Sequence, residues 1–231
     1  MTVVAIDGPS AAGKSTVARA VARRLGWRYL DTGALYRAVA LAALRDEVDP
    51  HDEGSVGRIA ASAEIEADHD RVELDGVDVT ARVRADDVTG AVSAVAAHRV
   101  VRSALRDRQR DAARRHDVVI EGRDIGTAIA PDARVKVWLT ASLPERARRR
   151  CAQRGLECDD TTLRRIEREL AARDDADSSR AASPLRRPPD ALEIDSTDKS
   201  VDEVADEIVA RVRTVARAEE GRGAEEGRDV G

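Results

Sequence analysis

The stretch "TVVAIDGPSAAGKS", residues 2–15, joins two patterns. Its first half is a short run of apolar, largely β-branched residues ending in Asp-Gly, which reads as a buried strand. Its second half, residues 8–15, fits G-x-x-x-x-G-K-[ST]. Directly after it, Val17, Ala20, Val21 and Leu25 recur at helical spacing. A strand, a glycine-rich turn and a helix in that order describe a phosphate-binding loop. Gly8, Pro9, Ser10, Ala11, Ala12 and Gly13 let the backbone curl so that successive amides point at phosphate oxygens, and the helix aims its positive end at the same spot. Lys14 is placed for the β/γ phosphates, the Ser15 hydroxyl for Mg²⁺, and Thr16 for the α-phosphate. In a chain with 15 Gly and lysine only at Lys14, Lys136 and Lys199, a chance match arises roughly once in a thousand. The motif indicates nucleoside triphosphate binding and leaves the reaction open.

Working outward, "WRYLDTG" reads as a second strand ending at Asp31, and a helix follows over about 34–44. "DVVIEGRD", "ARVKVWLT" and "ALEID" supply three more strands. Ser200 and Glu203 form a capping box for a last helix, with Val201, Val204, Ile208, Val212 and Val215 along one stripe. Five strands alternating with helices predict an α/β fold built on a doubly wound parallel sheet. "IEADHDRVELDGVDV" breaks the rhythm: polar and apolar residues alternate around Asp75-Gly76, a hairpin signal. A small antiparallel β insert is expected over about 64–84. The chain is expected to be one domain, 1–217, with a disordered charged tail over 218–231.

With 231 residues and 42% hydrophobic content, the chain is long enough for a real core, and with no Phe that core must be aliphatic. The net charge of −5 argues against broad affinity for nucleic acid or an anionic membrane. Cys151 and Cys158 are the only cysteines and are expected to be reduced, structural thiols in a cytoplasmic protein. "HDE" at 51–53 and "DHD" at 68–70 lack paired-ligand spacing and read as solvated turns. No signal peptide or membrane span is expected.

Doubly wound sheets bind ligands at the C-terminal ends of their strands. "DTGALYR" places Asp31, Thr32 and Arg37 there, and "EGRDIG" places Arg123 and Asp124. In an arginine-rich chain most guanidiniums are surface ion pairs, but two forked cations beside a triphosphate site suit an acceptor that is itself a phosphate. Such an acceptor needs no general base. A sugar or alcohol acceptor would need one, and Asp31 and Asp124 keep that alternative open, as does a non-enzymatic nucleotide-dependent switch. "RDDADSSR", residues 173–180, is too polar for core and reads as a loop, either solvated or closing on a polar ligand.

Together "IDGPSAAGKST", "LDTGALYRAVAL", "SAVAAHRVVRSALRDRQR", "VIEGRDIGTAIAPDARVKVWLTAS", "RDDADSSRAASPL" and "DALEIDST" resemble the bacterial-type cytidylate kinases from about residue 3 to 217. The resemblance implies transfer of the γ-phosphoryl group of ATP to CMP or dCMP with Mg²⁺. It also implies a nucleoside-monophosphate kinase core, a helical lid over about 148–180, and a β insert on the monophosphate side. By resemblance, Ser93, Arg102 and Asp124 read the cytosine, and Arg37 and Arg123 clamp the monophosphate. Arg173, Asp177 and Arg180 contact ribose and phosphate, which makes "RDDADSSR" a ligand-closing loop, and Lys14, Arg123 and Arg180 carry the catalysis. Thr32 stands where some relatives have Ser, and offers the same hydroxyl. "RARRRCAQRG", 146–155, supplies lid arginines without singling one out. A monomer acting on small nucleotides is expected.

Overall fold

The computed structural model describes residues 1–68 and 71–226. The predicted strands form one parallel sheet: β1 (Val3–Asp7), β2 (Arg28–Asp31), β6 (Val118–Gly122), β7 (Val135–Thr140) and β8 (Leu192–Asp195), in the order β2-β6-β1-β7-β8. Side chains alternate between its faces, as the period of two requires. Val4, Ile6, Val119 and Val137 pack beneath α1 (Lys14–Leu25) and α8 (Val201–Glu226). Ala5, Val118 and Ile120 face the other way, toward Ile125 and Ile129. On α8, Val204, Ile208 and Val212 are buried while Val201 is exposed, and Ser200 and Glu203 cap each other as expected.

The second half of the core belongs to α2 (Thr32–Arg45), α3 (Glu53–Ser62), α4 (Asp86–Ala97) and α5 (Arg99–Arg115), which share one aliphatic cluster with the β insert. The insert is antiparallel, with strands β3 (Ile65–Asp68), β4 (Arg71–Leu74) and β5 (Val77–Asp78). Its turn has φ 53° at Asp75 and 76° at Gly76, the left-handed pair of a two-residue hairpin. Of the "DHD" stretch, residues 69 and 70 lie outside the described residues. The lid is a helix pair, α6 (Leu143–Gln153) and α7 (Asp160–Ser179), joined through Ala147, Cys151, Ile166 and Leu170.

Three expectations are corrected. "RDDADSSR" is not a loop: residues 173–179 are the last turns of α7. Cys151 and Cys158 are not free thiols. The turn between α6 and α7 brings their Cα atoms to 5.9 Å, within bridging range, and they are joined as a disulfide. The last helix continues through Glu226, into the segment expected to be disordered; residues 227–231 lie outside the described residues. Ala, Glu and Arg in the stretch favour extending the turns before it, against the cost of Gly221 and Gly223.

The phosphate loop lies tight against β7. A Cβ on Gly8, whose φ is 154°, would sit 2.0 Å from the Leu139 carbonyl oxygen. Gly8→Ala is expected to cost about 1–3 kcal/mol, at the upper end because the obstacle is backbone; the shift in denaturation midpoint measures it.

Candidate active site

One cleft of about 620 Å³ runs along the C-terminal edge of the sheet, a size suited to small-molecule binding. Residues 10–16 line one end, together with Arg149, Arg150 and the Ser196–Lys199 turn. The expected acceptor residues line the rest: Thr32, Arg37, Ser93, Arg102, Arg123, Asp124, Arg173, Asp177 and Arg180 all border it. Gly8 and Pro9 begin the loop without lining the cleft.

At the loop end, Lys14 is only 5% exposed, and its Nζ donates to Pro9 O at 2.7 Å. Burial pushes its pKa below the ordinary lysine range, Arg123 adds to this, and Glu121 and Asp7 oppose it. Ser15 Oγ donates to Glu121 Oε1 at 2.6 Å. Burial, and then Asp31, push the Glu121 carboxyl up. Asp7 is raised to about 6 by burial, although it accepts the amides of Ile125 and Gly126 at 2.8 Å. The Thr32 hydroxyl donates to the Glu121 carbonyl at 2.8 Å, so it ties α2 to β6 as well as facing the cleft.

The middle of the cleft is crowded with guanidiniums. Arg37 donates to Thr89 Oγ1 at 2.9 Å. Arg123 Nε lies 2.9 Å from Asp177 Oδ2, and Arg180 Nη1 lies 3.2 Å from Asp177 Oδ1. Burial works against the Arg123 charge, yet Asp177 and Glu121 hold its pKa above the ordinary value. At Arg173 the balance goes the other way: burial, then Arg123 and Arg37, outweigh Asp177 and bring it down to about 9. Burial and Arg37 bring Arg150 down to about 10. Arg173 Nε and Arg180 Nη2 are buried donors without a hydrogen-bond partner. Cations that repel one another and donors that remain unmatched are the two marks of a polyanion site.

At the far end, Arg102 Nη2 contacts Asp124 Oδ2 at 2.6 Å, Nη1 donates to Ala96 O, and the guanidinium lies 5.3 Å from the centre of the Tyr36 ring. Ser93 on α4 borders the same space. Neither carboxylate considered as a general base stands free. Asp31 caps α2 by accepting the Ala34 amide, and Asp124 is paired with Arg102.

Glu121, Arg146, Arg149 and Asp174 were not singled out from sequence. Glu121 had a signal, an ionisable residue inside the buried run "VVIEG". Among the lid arginines, the fold chooses by direction. Arg146, Arg149 and Arg150 reach the phosphate loop at Ser10 O, Ala12 O and Ser10 Oγ, while Arg148 is exposed beside Glu145.

A family model described as cytidylate kinase matches residues 4–214. The chain belongs to the cytidylate kinase family. The cytidylate kinase of Bacillus subtilis is 44% identical over 218 residues, covering 93% of this chain and 97% of that protein. The cytidylate kinase of Bacillus pumilus is 45% identical over 210 residues, covering 89% and 93%. A solved structure of an uncharacterised protein from Eubacterium ventriosum superposes with TM-score 0.51 at 14% identity, covering 92% of this chain and 99% of that one, a likeness of fold alone. Among the described residues, no helix is long and apolar enough to cross a membrane, and no group of three or more His, Cys, Asp or Glu is gathered as a metal site.

Proposed function

We infer that the protein transfers the γ-phosphoryl group of ATP to CMP or dCMP, giving ADP and CDP or dCDP. The observation that carries this reading is the junction, in one cleft, of a phosphate loop with a second cluster of guanidiniums that ends at a buried carboxylate. The loop amides and Lys14 hold the β and γ phosphates of ATP. Arg37, Arg123, Arg173 and Arg180 hold the acceptor phosphate, whose oxygen is already an anion and attacks without a base. Catalysis is then alignment plus neutralisation of charge, with Lys14, Arg123 and Arg180 nearest the transferred group.

Mg²⁺ fits the residues present. The Ser15 hydroxyl and the Glu121 carboxylate are hard oxygen donors 2.6 Å apart, the kind of partner this ion takes alongside substrate phosphates. When bound, it offsets the charge of the β and γ oxygens. The net charge of −5 supports free nucleotides, rather than nucleic acid or membrane, as partners.

Coupled ADP-release assays with CMP, dCMP, UMP, AMP, GMP and shikimate test the reading. CMP and dCMP should give the highest kcat/KM; a preference for shikimate or a purine monophosphate would overturn it. Asp124→Asn probes the base end. A carboxylate accepts from the exocyclic amine of cytosine, whereas an amide also donates to the carbonyl of uracil. The CMP:UMP ratio of kcat/KM is expected to fall about 10-fold or more, and an unchanged ratio would remove Asp124 from base recognition.

A further inference from the structure

Asp174 lies between Arg173, whose guanidinium faces the cleft, and Asp177, which holds Arg123 and Arg180. Its own carboxylate reaches the other substrate's side. Oδ1 accepts the Ser10 amide at 3.0 Å, and Oδ2 pairs with Arg146 Nη1 at 2.5 Å. The same Nη1 donates to Ser10 O at 3.1 Å, and Arg146 Nε donates to Ala141 O just beyond β7. Both backbone polar groups of Ser10 are therefore held by one ion pair whose members come from α6 and α7. Arg150 takes the remaining polar group, the Ser10 hydroxyl, at 3.3 Å.

We propose that Asp174 is a positioning residue that registers the acceptor-side helix α7 on the phosphate loop. The proposal rests on the kinase reading above. Ser10 precedes the amides at the start of α1, so the carboxylate grips the leading edge of the loop and leaves those amides free of it. α7 carries the acceptor contacts and the loop carries the donor contacts, so the pair fixes the spacing of the two phosphates. In-line transfer depends on that spacing, and small misplacements are costly to rate even when both substrates remain bound.

The test uses Asp174→Asn and the double variant Arg146→Met with Asp174→Leu. The first keeps the shape and loses the charge. The second exchanges a buried pair for apolar residues, a change that is often neutral to stability, yet leaves the Ser10 amide and carbonyl without their partners. Measured with CMP and ATP, kcat is expected to fall about 10-fold or more, while the dissociation constant of each nucleotide bound alone stays within about threefold. Hydrogen exchange of the segment 8–16 should accelerate in both variants. That readout does not depend on the acceptor, so wild-type inactivity toward CMP would sink the function while the exchange result still judges the contact. Wild-type kcat in either folded variant, a fall accounted for by weaker binding, or unfolding of both variants would make the pair a structural strut and overturn the proposal.

Discussion

Lys14→Ala is expected to lower kcat/KM for phosphoryl transfer by about 10²–10³-fold, the scale of losing one preorganised donor to developing charge, while circular dichroism remains unchanged. The ammonium bonds to Pro9 O within its own loop, so no distant element depends on it. Its pKa lies below the ordinary lysine range because of burial and Arg123. The unfolded chain therefore binds this proton more readily than the folded one, and the native state loses stability as pH falls through the window beneath the ordinary lysine value. The variant lacks that loss. Against it, Glu121 loses the cation that most offsets its burial, and its carboxyl rises further. The two effects oppose each other, so the thermal midpoint should move by only a few degrees. A folded variant with near-normal turnover would show that the loop does not hold the transferred phosphate.

β1, β6 and β7 were legible because each is a short β-branched run, and buried parallel strands carry that signal without interruption. The insert was legible through Asp75-Gly76, and Arg37 and Arg123 through the rule that doubly wound sheets bind at strand ends. The end of α7 was not, for a reason its residues make plain. Ile166 and Leu170 begin a buried stripe, and half-buried Arg173 and Asp174 with buried Asp177 continue it at helical spacing, while Asp175, Ala176 and Ser178 face solvent. The period is intact, but the buried members are charged, so a search for apolar periodicity stops at Leu170. Cleft-facing polarity and solvent-facing polarity look alike until the partners are known. The same holds for Glu121 and Asp7, whose partners are backbone amides and a hydroxyl from other elements. The pairing of Cys151 with Cys158 depended on the turn between α6 and α7, where Gly155, at φ 63°, ends α6 without fixing where Cys158 falls.

Asp177→Ala is expected to lower kcat/KM for CMP by about 10²-fold or more, because truncating one partner of a buried charge pair costs about 3–5 kcal/mol, part of it in stability. By resemblance Asp177 contacts the ribose, and loss of a contact to the acceptor alone would raise KM for CMP and leave KM for ATP unchanged. The structure gives it a further task. It is 8% exposed, and its two oxygens hold Arg123 and Arg180. Burial opposes its charge, but those two guanidiniums keep its pKa below the ordinary carboxylate range. Its contribution to stability is therefore present above the ordinary carboxylate pKa and is lost as pH falls through the lower folded value. Without it, Arg123 and Arg180 lose the carboxylate they share, and their repulsion with Arg173 is offset less. kcat should then fall together with the rise in KM for CMP, and binding of ATP alone should change little, since residues 10–16 keep their own contacts. Asp177→Asn separates the two roles. An amide still bonds to a sugar hydroxyl but cannot neutralise two cations, so it should behave like the alanine variant if holding the arginines dominates. Near-wild-type kcat in the asparagine variant would return Asp177 to a plain sugar contact, and equal losses for ATP and CMP binding would make the end of α7 a general cover for the cleft.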